Sequence, residues 1–250
     1  MVQRQRPSLF ALLPFLLAGC SIKTPYVNVS QWPVEQRVAY YNSPSSLRIG
    51  VLPLVDHRPI QEQDGQRPRG LFLLVWNRRV GDYYTGNHIF GGQVASRLTD
   101  RLVSGLKAAN AVAEIVPIVA PSDFNPNNAQ QVSRLGQQEA VDYLVYGELE
   151  HFFGSQSQHT SIVLLPLYFI NSLSWQDSKS LPWGKTAMAC RLYDGQSGDM
   201  VWRRLIESNR TLPRDTDAMS EAAMQSFADA TGQLAKELRE LSLQPNLASR

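Results

Sequence analysis

The 250-residue sequence predicts one α/β domain, a mixed β-sheet with helices packed on it. Three observations lead there. Short apolar, β-branched runs alternate with segments whose apolar residues recur every three or four positions. Two alternating stretches flank "DGQSGD", the pattern of an antiparallel hairpin. A long amphipathic segment then closes the domain. Strand–helix–strand crossovers call for parallel pairing and the hairpin for antiparallel pairing, so the sheet is mixed.

The elements follow in order. Residues 21–46 carry three prolines and weak periodicity, and read as a tether, part of it laid along the domain surface. "LRIGVLPLV" (47–55) reads as a buried strand, and 56–69 as a polar loop. "LFLLVW" (71–76) and "GDYYTG" (81–86) are expected to pair as a short hairpin around "NRRV". Residues 88–109 predict a helix, with Phe90, Val94, Leu98, Leu102 and Leu106 every four residues and Val103 beside them. "VAEIVPIV" (112–119) is a strand, and "PNNAQQVSRLGQQE" (126–139) a short helix behind an Asn-rich start.

"VDYLVYGELEHFF" (141–153) is a strong strand, in which Gly147 suggests a bulge or a close backbone contact. Residues 154–184 read as an insert. "GKTAMACRLYDGQSGDMVWRRLIES" (184–208) is the hairpin, its glycines suited to positive φ in the turn. The last helix spans about 215–242, with Asp215 or Thr216 as cap. Its apolar stripe is Met219, Ala223, Phe227, Ala230, Leu234, Leu238 and Leu241. The domain is thus expected over 47–243, with a tail at 244–250.

The first twenty residues carry an address. Arg4 and Arg6 precede an apolar run from Leu9 to Leu17, too short to span a bilayer as a helix. The run ends in Leu17-Ala18-Gly19-Cys20, small residues before a cysteine, as in a secretory signal peptide (1–19) with its cut at the end. The sequence at the cut resembles the bacterial lipobox. That resemblance implies cleavage between Gly19 and Cys20, a diacylglycerol on the Cys20 thiol, and an acylated new amine. Several acyl chains hold a protein firmly at a bilayer, where one is marginal. Ser21 follows the cysteine where an aspartate would mark retention, which by the same resemblance favours the outer membrane with the domain facing the periplasm.

Removal of residues 1–19 leaves a chain of 231 residues. Two of the 24 basic residues go with the signal, which leaves 22 against 22 acidic ones. No clustered basic face or charged tail stands out, so no nucleic-acid partner is expected. With Cys20 lipidated, Cys190 is the one cysteine left, and no intrachain disulfide can form. Cys190 alternates with Met188 and Leu192, the pattern of a buried core thiol.

Catalytic and metal motifs are wanting in the sequence. His57, His88, His151 and His159 make no H-E-x-x-H spacing and read as loop or surface histidines, so no metal or other cofactor is expected. "WGKT" (183–186) ends like a phosphate loop, but Lys179 stands where its first glycine belongs, and the segment opens a strand. There is no G-x-S-x-G. Asp194 and Asp199 flank a turn, where Asp is common for turn reasons. The expectation is a non-enzymatic protein.

"LRIGVLPLVD", "VDYLVYGELEHF" and "CRLYDGQSGDMVWRR" come in that order behind a lipoprotein tether. The last resembles a D-x-x-T-G-x-x-x-W hairpin with Ser197 in place of the threonine. Together they resemble the superfamily that holds the curli secretion channel lipoprotein CsgG, the peptidoglycan-synthase activator LpoB and the N-terminal domain of TolB. The resemblance implies an anticodon-binding-like, TolB N-terminal-like core, and function by binding. It implies an accessory lipoprotein that docks on an envelope partner of cell-wall synthesis or export, with an oligomeric secretion channel as the alternative. No catalytic residue carries over.

The insert separates these two. It holds "SIVLLPLYFINSLSW" (161–175), which has no charge. It reads as a core loop, as a patch that contacts a partner, a second copy or the membrane surface, or as a pore hairpin. Pore strands alternate apolar and polar faces, whereas Ile162 to Ile170 is apolar on both, and Pro166 interrupts it. No second candidate hairpin follows Trp202. The contact residues singled out are Leu164, Leu165, Leu167, Tyr168 and Phe169. "LFLLVW", with Trp76 beside Arg78 and Arg79, is a second contact surface or a satellite of the core.

Overall fold

A computed structural model describes residues 38–64, 78–84, 94–160, 181–213 and 218–243. In chain order the elements are β1 (Ser45–Val51), β2 (Val55–Asp56), α1 (Ile60–Asp64), β3 (Arg78–Tyr84), α2 (Val94–Ala109) and β4 (Val112–Pro117). Then come α3 (Ala129–Gln138), β5 (Tyr143–Thr160), β6 (Trp183–Asp194), β7 (Met200–Thr211) and α4 (Ala218–Ser242). Among the described residues seven strands make one sheet, in the order β4-β1-β5-β6-β7 with β2 and β3 both paired to β5. Strand β1 runs parallel to β4 and to β5, whereas β6 runs antiparallel to β5 and β7 to β6. This is the mixed α/β sheet that the sequence predicts.

Two cores lie on the two faces. On one, Val94, Leu98, Leu102 and Leu106 of α2 and Ala223, Phe227, Leu234 and Leu238 of α4 pack on Ile49, Val145, Leu149, Met188 and Ile206. On the other, Val132 and Leu135 of the short helix α3 pack on Leu144, Tyr146 and Tyr193. Alternation along β5 sends Val145 and Leu149 to the first core, and Leu144 and Tyr146 to the second. Asn128 caps α3, its side chain accepting from the backbone N–H of Gln130 at 3.1 Å and of Gln131 at 3.3 Å.

Several expectations change in detail. The 47–55 strand is broken: β1 ends at Val51, and β2 resumes at Val55 past Pro53, which has no N–H for a ladder. Within the expected polar loop, 60–64 forms the helical turn α1. Arg78, Arg79 and Val80 lie in β3, so they are no turn between two strands, and β3 pairs with Phe153–Thr160 of β5. Residues 71–76 fall outside the described residues. The insert is also shorter than expected. Gly154 pairs with Gly184 and Ser155 with Trp183, so the sheet takes both ends of 154–184. Residues 161–180 lie outside the described residues.

Residues 38–41, within the stretch expected as a tether, pack on the domain. Val38 is buried, the Tyr41 N–H donates to the Ala109 carbonyl at 2.9 Å, and Arg239 stacks on the Tyr41 ring at 4.4 Å. Gly147 sits in unbroken register opposite Cys190, and a β-carbon there would lie 2.5 Å from a Leu54 methyl. The close contact is therefore with a side chain, and the bulge comes later, between Leu149 and His151. In the β6–β7 turn Gly198 has φ +78°, as the turn requires. Asp194 accepts from the N–H groups of Gln196 at 2.8 Å and Ser197 at 2.9 Å. The Ser197 hydroxyl accepts from Asp199 N–H at 3.1 Å, which a threonine hydroxyl does equally well.

Candidate functional site

The α3 face of the sheet has its helix at one end. Beyond Tyr146 and Tyr193 that face carries polar side chains of β5, β6 and the β2–α1 segment. Glu148 lies on β5 just before the bulge, and Glu150 is the residue at the bulge itself, between Leu149 and His151. Parallel pairing of Val55 with Glu148 and of Asp56 with Leu149 brings β2 alongside. The His57 N–H extends that ladder to the Leu149 carbonyl at 3.0 Å. His57 thereby stands with the two glutamates, and the ligand atoms of His57, Glu148 and Glu150 lie within 4.8 Å of one another.

Arg191 of β6 organises the neighbourhood. Its guanidinium donates to Glu148 at 3.0 Å and lies over the Tyr146 ring at 5.5 Å. Glu148 is 9% exposed, so the ion pair is well screened from water. Burial, and after it the Glu148 carboxylate, pushes the Tyr146 phenol up to about 12. The phenol therefore remains a neutral hydrogen-bonding group near neutral pH.

Beside this cluster a second polar group closes a gap in the sheet edge. The β2 pairing with β5 ends at Leu149 and the β3 pairing begins at Phe153. Between them the bulge leaves the Phe152 N–H, which donates to Glu62 of α1 at 3.2 Å. The other Glu62 oxygen is 2.7 Å from Nδ1 of His151. Arg58, with a fully buried side chain, clasps Asp56 through two bonds of 2.7 and 2.8 Å, and its carbonyl accepts from Gln63 at 2.7 Å. The loop read as merely polar is thus a fixed edge of the sheet.

The residues singled out in sequence divide sharply. Gly19, Cys20, Leu164, Leu165, Leu167, Tyr168 and Phe169 fall outside the described residues, as does His88. Cys190 is a free, buried thiol that desolvation pushes up to about 12, as expected of a core cysteine. Residues 183–186, "WGKT", are strand, with Thr186 bonded to Ser226 of α4 at 2.7 Å. Sequence spacing missed the grouping of His57 with Glu148 and Glu150, because the partners are distant in the chain. The local sign was the alternation in "GELEHFF".

No family model matches the chain. No curated protein matches it either. Solved structures similar to it include protein XCC0632 of Xanthomonas campestris, at 15% identity and a TM-score of 0.49, over 84% of this chain and 93% of that one. Lipoprotein GNA1162 of Neisseria meningitidis is similar at 12% identity and a TM-score of 0.32, over 77% and 99% of the two chains. The C-terminal domain of LpoB from Salmonella enterica is similar at 7% and 0.28, over 70% and 90%. Among the described residues no helix is long and apolar enough to cross a membrane.

Proposed function

We propose that this protein is a lipid-anchored accessory protein of the bacterial envelope. It is held at the outer membrane through Cys20, with its α/β domain in the periplasm, and docks on another envelope protein of cell-wall synthesis or of an export machine. The observation that carries the reading is Leu17-Ala18-Gly19-Cys20 at the end of a short apolar run behind Arg4 and Arg6. The docking part rests on the charge-free stretch 161–175, which follows directly on β5. Leu164, Leu165, Leu167, Tyr168 and Phe169 are assigned to that contact. The superfamily of CsgG, LpoB and TolB belongs to the same proposal, on the three sequence stretches that resemble it.

A second reading, an oligomeric export channel, has one observation in its favour. Strand β5 runs for 18 residues, and its last part pairs with β3 and β6 as an antiparallel ribbon leading into 161–175. Against it stand Pro166 and the absence of alternation from Ile162 to Ile170.

In-cell photo-crosslinking tests the docking reading. The wild-type protein should give one dominant envelope adduct, and Leu165→Ser with Phe169→Ser should lose most of it while keeping the melting temperature. A large drop in melting temperature would show those side chains to be core instead. Cys20→Ser, run alongside, should accumulate as uncleaved precursor without radiolabelled palmitate, and normal labelling would remove the anchor from the reading.

A further inference from the structure

We propose that His57, Glu148 and Glu150 form a binding site for a divalent transition-metal cation of the zinc class. Three observations carry this. The β2–β5 ladder fixes His57 beside Glu148, Glu150 lies at the β5 bulge just past it, and the ligand atoms of the three converge to within 4.8 Å. Glu148 is already oriented by Arg191 at 3.0 Å, in the manner of an outer-shell partner that aims a ligand. The side chains of His57 and Glu150 have no hydrogen-bond or ion-pair partner among the described residues.

Charge points the same way. Glu148 is paired with Arg191, whereas Glu150 makes no ion pair among the described residues, which leaves one carboxylate charge uncompensated. A cation at the centre offsets it. The ligand set decides which cation: one imidazole nitrogen with two carboxylates suits zinc, whereas calcium and magnesium take oxygen alone. Zinc binds such ligands at about 2.0–2.2 Å, so neighbouring ligand atoms on one ion stand roughly 3.4 Å apart. The site must therefore contract by about an ångström. His57 is exposed and Glu150 half-buried, so both can turn inward while Glu148 stays in place. Three protein ligands leave a fourth position for water or for an outside donor. The proposal stands independently of the docking reading.

Calorimetric titration of zinc chloride into full-length, detergent-solubilised, chelator-stripped protein is the test, with bound metal counted by mass spectrometry. One zinc per chain is expected, with affinity lowered about ten-fold or more by His57→Ala and by Glu150→Gln. Both variants should melt at the wild-type temperature in the presence of chelator, which separates lost binding from lost folding. Unchanged affinity in His57→Ala would overturn the proposal, since it would leave only loose association with carboxylates. Equal affinity for magnesium, or no saturable zinc binding at all, would overturn it too.

Discussion

Single side chains in this protein are held by partners far away in the chain, and the surroundings set their chemistry. Cys190 is the clearest case. The thiol lies between Met188 and Leu192 on β6, under helix α4, with 1% of its surface exposed. Desolvation disfavours the thiolate and pushes the group from 9.0 to about 12. Native protein at pH 8 should therefore react with iodoacetamide at a small fraction of the rate found in denaturant, followed by intact mass. Stability carries the same signature. The unfolded chain releases the proton from about pH 9 upward, and the folded chain only near 12, so the native state loses stability between those values. The loss is about 1.4 kcal/mol per pH unit for one such group. Cys190→Ala should show a flatter decline above pH 9, measured by urea melts against its own value at pH 8. An identical slope in the two proteins would mean that the thiol is not buried as a neutral group.

At the scale of elements, the edge of β5 is completed by a side chain in place of a strand. Glu62 on α1 accepts from the Phe152 N–H where neither β2 nor β3 reaches, and it holds His151 as well. Its removal takes a charged acceptor away from the Phe152 N–H, at a cost of roughly 1.5–3 kcal/mol. Glu62→Ala should lower stability by that much and speed hydrogen exchange at the Phe152 amide. Glu62→Gln, which keeps an acceptor oxygen, should recover most of the protection. Equal loss in both variants would assign the effect to the carboxylate charge.

This edge also marks where the sequence stops being legible. Helices α2, α3 and α4 and strands β4, β6 and β7 follow from apolar periodicity and turn residues, because those signals are local. The last part of β5, "GSQSQHT", is polar and carries no strand signal of its own; pairing with β3 and β6 makes it strand. The same holds for the site. His57 and Glu148 meet through a ladder between distant segments, and no local spacing encodes that. The alternation of Glu148 and Glu150 is visible in sequence, but half a site is not distinguishable from an ordinary wet strand face.

For the whole molecule, the proposed lipid anchor raises the question of how the domain presents its surfaces. Residues 38–41 are fastened against α2 and α4 by backbone and ring contacts. An anchored chain fastened there is constrained in orientation relative to the bilayer, so only part of its surface faces neighbours in the envelope. A docking protein needs one such surface and works as a monomer or a dimer. A channel needs many copies closed into a ring, each giving the membrane a strand pair. The charge-free stretch breaks the alternation that pore strands require. The lipidated protein, extracted in mild detergent, should therefore have the mass of one or two chains by light scattering once the detergent share is subtracted. A closed ring of many subunits would reverse the order of the two readings, and would make the ribbon of β3, β5 and β6 the pore-forming element to image.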